Sequence, residues 1–488
     1  MIGLSEKYEL VIGLEVHAQL LTNTKLFCSD PAFFGGAPNT HISPITLGYP
    51  GTLPRLNQQA VEFAIRMGIA CHCDISEKNW FARKHYFYPD LPKGYQTSQH
   101  INNICQGGKV PITVGGKERE VQLHHIHLEE DAGKSIHDAD EQKTALDYNR
   151  AGVPLIEIVS EPDMFSAEEA YAYVTEIRKL VRYLGICDGN MEEGSLRCDA
   201  NVSIRLRGET KLGTKVEVKN LNSIRHVKKA IEFEAARMIQ LAEKGEPIIQ
   251  QTRSFDADNG TTFPLRVKEE ANDYRYFPDP DLPPFLVTKE KLLAIREAMP
   301  ALPDAVRQRF EIGYQLPLYD ARMLSEDIGL VQYFEATATH TKQYKAISNW
   351  LMGPVRNWLN EADQEITAFP LPAAAFANLI ELVEAGKISF SAASSRLLPA
   401  LLKEPGTAPA ELAARLNLLQ DAGADDIENW VQEVLRNMPD KVAEYRKGKK
   451  GLIGLFMGEV KKISKGKADP KIATQLLEQK LNEKTIVK

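Results

Sequence analysis

Four short segments of this sequence put carboxylates and a histidine where an ordinary core strand carries apolar side chains. They read Ile12-Gly13-Leu14-Glu15-Val16-His17, His127-Leu128-Glu129-Glu130-Asp131, Pro154-Leu155-Ile156-Glu157-Ile158-Val159 and Arg197-Cys198-Asp199-Ala200-Asn201-Val202-Ser203-Ile204-Arg205. Taking an ionised carboxylate out of water is costly even after relaxation, so a group of them requires cations. A divalent metal together with a phosphorylated substrate supplies such charge, and that combination points to phosphoryl chemistry. Glu15, His17, Glu130, Glu157 and Asp199 form the candidate catalytic and metal-ligating set. Mg²⁺ takes oxygen ligands and keeps waters while sharing substrate phosphates. The single histidine leaves Mn²⁺ or Zn²⁺ open as replacements. Glu157 stands out because Leu155, Ile156, Ile158 and Val159 flank it. The competing reading of that residue is a buried ion pair with Arg197 or Arg205.

Cations for the phosphates are present in Lys134, Arg197, Arg205, Lys215 and Lys219, which are otherwise ordinary ion-pair partners. Familiar nucleotide signatures are missing. Asp131-Ala132-Gly133-Lys134-Ser135 ends like a phosphate-binding loop, but position 128 is leucine where the first glycine belongs. Neither a protein-kinase glycine loop nor a His-Arg-Asp motif occurs. Cys28, Cys71, Cys73 and Cys105 lack the paired spacing of a zinc site.

The elements that must position these groups are legible from their periods. In Leu196–Arg205 the residues Arg197, Asp199, Asn201, Ser203 and Arg205 fall on one face of a strand, with Cys198, Ala200, Val202 and Ile204 on the other. Lys215, Glu217 and Lys219 share a face by the same rule, as do Glu15 and His17. Helices are expected at Asn57–Gly68, at Ser166–Leu184 with Ser166 as N-cap and Glu169 in the capping-box position, and at Val227–Gly245. Runs of strands with helices between them predict an α+β domain. After the Pro-rich Phe277–Pro284 the pattern turns helical and amphipathic, as in Ile347–Leu359 and Ala373–Ala385. Lys403–Pro409 reads as a linker. The expected division is residues 1–290, 291–405 and 406–488.

Charge separates the last segment from the rest. The 488 residues carry a net −7 with 43% hydrophobic residues, an ordinary globular composition. From Pro439 to Lys488 thirteen Lys/Arg face six Asp/Glu, so this tail is +7 and the remainder −14. A basic module on an acidic body predicts a polyanionic partner, and the bland alternative is a solvated helix face. Gly451, Gly454 and Gly458 share one helical face, which permits close approach of another helix or of a phosphate strand. No apolar run has the length of a membrane span, no signal peptide is expected, and the scattered cysteines fit a reducing cytoplasm.

Taken together these motifs closely resemble the B subunit of the bacterial tRNA-dependent amidotransferase. The resemblance covers essentially the whole chain. It runs through Val11–His17, Leu128–Lys134, Pro154–Asp163, Met191–Asn201, Lys219-Asn220-Leu221-Asn222-Ser223 and Ser348-Asn349-Trp350-Leu351-Met352-Gly353. It implies a cradle-like mixed α/β catalytic domain, a helical domain and a small tail domain that grips tRNA. The implied reaction uses ATP to phosphorylate the side-chain carboxylate of misacylated Glu-tRNA(Gln) or Asp-tRNA(Asn), after which ammonia displaces phosphate. On this resemblance His17, Glu130 and Glu157 are Mg²⁺ ligands, while Glu15 and Asp199 form a second, weaker acidic site. Lys134, Arg197, Arg205 and Lys219 are assigned to the ATP phosphates, and Lys449, Lys450, Lys461 and Lys462 to tRNA. An amidase subunit supplying ammonia and a small third subunit complete the implied heterotrimer. Many relatives carry a four-cysteine zinc knuckle after the first motif. Here Phe27-Cys28-Ser29-Asp30 through His41-Ile42-Ser43-Pro44 holds one cysteine, so no zinc is expected. Two readings of other classes remain: a metal-dependent phosphohydrolase or nuclease, which needs no nucleotide, and a noncatalytic tRNA scaffold with a structural acidic cluster.

Overall fold

The computed structural model describes residues 7–140, 143–267, 274–419, 424–464, 468 and 470–482. The chain forms two compact units, Met1–Pro303 and Asp304–Lys488. The first is built on one long mixed sheet of thirteen strands. Its centre consists of β1 (Tyr8–Gln19), β2 (Lys117–Glu130), β3 (Pro154–Ser160), β4 (Leu196–Leu206) and β5 (Val216–Lys219). In space they run β5-β4-β1-β3-β2, all antiparallel. Gln251–Asp256 extends the β5 side in parallel, and Tyr95–Ser98 extends the β2 side.

Alternation divides this sheet into two unlike faces. Leu10, Ile12, Leu14, Val16 and Ala18 of β1, Ile126 and Leu128 of β2, Ile156 and Ile158 of β3, and Cys198, Ala200, Val202 and Ile204 of β4 enter one hydrophobic core. Helices α1 (Gln58–Ala70), α2 (Ala167–Tyr183) and α3 (Ile224–Glu243) contribute their apolar stripes to the same core. Each starts on a side-chain cap: Asn57, Ser166 and Ser223 accept from backbone N–H groups of the first turn. Glu169 closes the start of α2 from the other side, though it accepts from Phe165 N at 2.7 Å rather than from the cap residue. The third helix begins three residues before the expected Val227, because Ser223 caps it and Ile224 is already its first residue. All six cysteines are free thiols.

The second unit is helical. The expected helix over Ile347–Leu359 forms, but its middle widens into a π-turn at Leu351–Val355. Pro354 sits inside that turn and has no N–H to give, so the wider winding accommodates its ring. The expected tail segment 406–488 lies within this unit, whereas the expected helical segment 291–405 does so only from Asp304, its first thirteen residues belonging to the first unit. From Ile427 to Leu481 the tail closes a core of its own around Val431, Val434, Tyr445, Phe456, Val460 and Leu477. A Cβ added at Gly451, Gly454 or Gly458 meets nothing within 4 Å, so no described element packs closely on these glycines. No described helix is long and apolar enough to cross a membrane.

Candidate active site

The polar face of the central strands forms the wall of a cleft of about 640 Å³. Register gathers its chemistry. His17 stands opposite Glu157 on β3 and Arg197 on β4, Glu15 stands opposite Asp199, and Glu157 stands opposite His127 on β2. Odd-numbered residues of five adjacent strands therefore project together, which the period-two reading of β1, β4 and β5 anticipated.

One group is His17, Glu129 and Glu157, whose ligand atoms all lie within 4.8 Å of one another. His17 Nε2 is 3.4 Å from Glu157 Oε2 and 3.7 Å from Glu129 Oε1. On the opposite flank His127 Nε2 is 3.4 Å from Glu157 Oε2 and 3.6 Å from Glu129 Oε2. Burial alone would lower the His17 pKa, but Glu157 and Glu129 beside it raise it to about 9. Burial would raise the Glu157 carboxyl, and the two histidines outweigh that and hold it well below the usual carboxylate range. Neither Arg197 nor Arg205 pairs with Glu157. Arg197 donates to Asp131 at 2.8 Å, and Arg205 donates to Glu9 at 2.7 Å. Two carboxylates flanked by imidazoles, with Lys84 adding a weaker attraction, form a donor set that suits a divalent cation.

The expected ligand Glu130 is not part of this group. On β2 the residues 127 and 129 share the cleft face, as does Asp131 just past the strand's end, whereas 126, 128 and 130 point to the other side. Glu130 Oε1 instead bonds Lys93 Nζ at 2.5 Å and accepts from Thr97 N at 2.8 Å, and it lines a separate cavity of about 310 Å³. The alternation of His127-Leu128-Glu129-Glu130 around the apolar Leu128 carries the signal that selects Glu129 and His127, both of which the expected set omitted. Asp131 was missed as well. It lines the cleft, bonds Gln19 Nε2 at 2.8 Å, and is held ionised against burial by Arg197 and Arg150.

The second group is Glu15, Asp199 and Glu217, again with ligand atoms within 4.8 Å. Burial, reinforced by Glu157, Asp199 and Glu217, raises the Glu15 carboxyl. Lys219 Nζ binds Asp199 Oδ2 and lies 3.4 Å from Glu217 Oε1. Burial would lower its pKa, but Asp199 and Glu217 raise it. The next residue, Asn220, has φ +64°, a left-handed turn that asparagine tolerates, and its amide is tied to Ser254 Oγ at 2.6 Å. This fixes where the Lys219 side chain leaves the sheet.

Of the four expected phosphate cations, Arg197 and Lys219 line the cleft and Lys134 and Arg205 do not. Arg205 lies six residues along β4 from Asp199, about 20 Å at strand rise. Lys134 begins a two-stranded ribbon, Lys134–Asp140 with Lys143–Asp147, outside the main sheet. Lys84, Tyr86, Tyr88 and Tyr274 also line the cleft. Lys84 Nζ sits 4.9 Å from the Tyr274 ring centroid, a cation–π contact. In the tail, Lys449 and Lys462 are 72% and 78% exposed, paired with Glu444 and Glu459. Lys450 donates to Asn482 Oδ1 at 3.2 Å, and Lys461 is exposed.

Lys25 is a buried cation that this site does not use. It is 1% exposed, donates to the Tyr148 carbonyl at 3.4 Å, and burial pushes its pKa down to about 8 from 10.5. Between those values the unfolded chain binds more protons than the folded one. Stability therefore rises with pH across that window, and the penalty is fully present below it. Lys25→Met is expected to stabilise the chain at pH 7 by about 2–3 kcal/mol and to flatten this rise. Urea melts at pH 7 and at pH 9.5 check it, and an equal effect at both would contradict the assignment.

Comparison with known proteins bears on what the cleft does. The family model described as "GatB/GatE catalytic domain" matches residues 10–293, and that described as "GatB domain" matches 332–481. A protein of Thermoanaerobacter pseudethanolicus, named as the B subunit of aspartyl/glutamyl-tRNA(Asn/Gln) amidotransferase, is 45% identical over 480 residues, covering 98% of this chain and all of the relative. The chain belongs to the amidotransferase B-subunit family. Proteins of the same name from a Geobacter species and from Salinibacter ruber are each 47% identical, over 479 and 496 residues. They cover 97% and 98% of this chain, and 99% and 97% of their own lengths. The first family model spans every residue of both carboxylate groups.

Proposed function

We propose that this chain, acting in the cytoplasm, activates the side-chain carboxylate of misacylated Glu-tRNA(Gln), Asp-tRNA(Asn) or both by ATP-dependent phosphorylation. The acyl phosphate is then amidated with ammonia from an amidase partner, in a complex that includes a small third subunit. The observation that carries this reading is the His17–Glu129–Glu157 group lining one cleft together with Arg197 and Lys219, in a chain of the amidotransferase B-subunit family.

A carboxylate is a poor acyl donor because oxide is a poor leaving group, and phosphorylation replaces oxide with phosphate. The difficulty is electrostatic, since an anionic carboxylate must approach an anionic triphosphate. A divalent ion held by His17, Glu129 and Glu157 would supply the charge neutralisation that lets these anions meet. His127 braces both carboxylates from the side away from His17. Arg197, held by Asp131, and Lys219, bonded to Asp199, line the same cleft and bring two cations for phosphate oxygens. Tyr86, Tyr88 and Tyr274 add aromatic rings to the lining, which helps exclude water from an intermediate that hydrolyses readily. The basic tail supplies tRNA affinity through Lys449, Lys450, Lys461 and Lys462.

Ammonia must come from elsewhere, because the chain has no Gly/Ser-rich amidase stretch. The chain alone is expected neither to hydrolyse glutamine nor to amidate tRNA from it until the amidase partner is added, while free ammonium partly substitutes. Glutaminase activity of the purified chain would refute this division of labour. Amidation that proceeds without any nucleotide would refute the ATP step, and it is the outcome a hydrolase-type site predicts.

A further inference from the structure

Away from the cleft, two short turns bring together side chains beside the cavity that Glu130 lines. The first turn carries Cys28 and Asp30. It is closed by Lys25 N, which donates to the Asp30 carbonyl at 3.0 Å, and by the antiparallel bridge of Thr24 with Pro31. The second is one helical turn carrying Ser43 and Thr46, in which Leu47 N donates to the Ser43 carbonyl at 3.1 Å. Across the two turns Thr46 Oγ1 donates to Asp30 Oδ2, and Cys28 Sγ lies 3.4 Å from the same Oγ1.

A pair of side chains on each of two turns is how a zinc knuckle is built, and the family resemblance implies one in this region. The residues present do not fit the ion. Zinc takes thiolate, imidazole or carboxylate, and two of these four positions are neutral hydroxyls. Among the described residues, the groups of three or more His, Cys, Asp or Glu that could hold a metal are both in the cleft, and neither includes Cys28 or Asp30. Counting protons gives a different pattern. A threonine hydroxyl has one proton, and here it goes to Asp30, so the contact with Cys28 is made by the thiol's own S–H. Burial pushes the Cys28 thiol up, which keeps that proton in place. Burial would also raise the Asp30 carboxyl, but the hydroxyls of Thr46 and Ser43 outweigh it and hold the group below its ordinary value. Of the two, Thr46 carries the bond, since the buried Ser43 Oγ has no hydrogen-bond partner of good geometry.

We propose that Cys28, Asp30, Ser43 and Thr46 occupy the four corners of a knuckle that this chain closes without a metal, through a relay in which the Cys28 thiol donates to Thr46 and Thr46 donates to the Asp30 carboxylate. The relay fixes the second turn, whose Ile45, Thr46, Gly48 and Tyr49 line the cavity of about 310 Å³ together with Glu130 and Lys93. A zinc–thiolate knuckle loses its shape when the ion is chelated, because metal binding and local folding are one equilibrium. A carboxylate clasp does not, so this wall of the cavity keeps its form whatever the zinc supply. The proposal is independent of the reaction assigned to the cleft.

The test uses the full chain and has two arms. The first restores thiols at the three other corners. Asp30→Cys/Ser43→Cys/Thr46→Cys, refolded with Co²⁺, is expected to take up one ion with the visible absorption of a tetrahedral thiolate site, while the parent shows no thiolate–metal absorption. A triple variant without that absorption, folded or not, overturns the placement of the four corners. The second arm reads the clasp itself. Phe33 and Phe34, 64% and 74% exposed, lie between the two turns and offer chymotrypsin a cleavage site, followed by mass spectrometry of the N-terminal fragment. Thr46→Val is expected to speed that cleavage at least about tenfold, whereas Thr46→Ser, which keeps the hydroxyl, should stay within about twofold of the parent. A chelator should leave the parent's rate unchanged. Equal rates for Thr46→Val and the parent overturn the relay. A parent whose cleavage accelerates on chelation, or that carries zinc which Cys28→Ser removes, overturns closure without a metal.

Discussion

Glu129→Gln and Glu157→Gln are each expected to lower ATP-dependent amidation by about 100- to 1,000-fold while the chain still folds cooperatively. Each removes one anionic oxygen pair from a group whose other members are the second carboxylate and the flanking imidazoles, and those imidazoles can shed protons when a carboxylate is lost. The neighbouring Glu130 should behave differently. Its partner is Lys93, with side chains 6% and 16% exposed, so Glu130→Gln leaves a poorly solvated ammonium and is expected to cost about 3 kcal/mol of stability. Steady-state amidation at saturating Mg²⁺, paired with thermal melts, separates the two residues. Near-normal turnover of both Glu129→Gln and Glu157→Gln would remove the metal assignment. A Glu130→Gln chain as stable as its parent would remove the structural account of that pair.

Loss of the tail is the other large effect. Truncation after Leu419 should raise the Michaelis constant for tRNA at least about tenfold and flatten the salt dependence of binding. If Lys449, Lys450, Lys461 and Lys462 each neutralise one phosphate, the slope of log affinity against log salt should fall by about 3. A cut near Leu402, which the linker-like Lys403–Pro409 invites, is a poorer choice. Leu412 and Ala413 of the Pro409–Arg415 helix are buried, so that cut would strip packing from the remaining helices as well as remove charge. Tail binding of folded RNA by charge and shape agrees with the open space over Gly451, Gly454 and Gly458, where a strand of phosphates has room to approach the backbone. Unchanged affinity and slope in the truncated chain would assign these lysines to a solvated helix face.

Much of the cleft is legible in the sequence because β-strands expose their logic every second residue. Glu15 with His17, and Arg197 with Asp199 and Asn201, separate cleanly from the apolar residues between them. Glu129 was obscured by its neighbour: two consecutive glutamates look alike until the strand's parity is anchored on Ile126 and Leu128. His127 and Asp131 follow from the same parity. The ion-pair alternatives for Glu157 could not be decided from one strand at a time, since the partners of Arg197 and Arg205 depend on which strands flank β1 and in what register. Glu217 and Lys219 were visible as a pair on one face, yet that they meet Asp199 follows only from β5 lying beside β4. In the helical unit Pro354 marked an irregularity, but whether a proline kinks, ends or widens a helix is decided by what surrounds it.

The central claim is that a phosphoryl group passes from ATP to the aminoacyl side chain in this cleft. The most direct measurement is transfer of label from γ-labelled ATP to misacylated tRNA by the reconstituted complex, with glutamine and ammonium withheld. Label attached to the aminoacyl group, released as phosphate when ammonium is added and absent with Glu157→Gln, is the expected result. Amidation at full rate with no label ever passing through the aminoacyl-tRNA would contradict it.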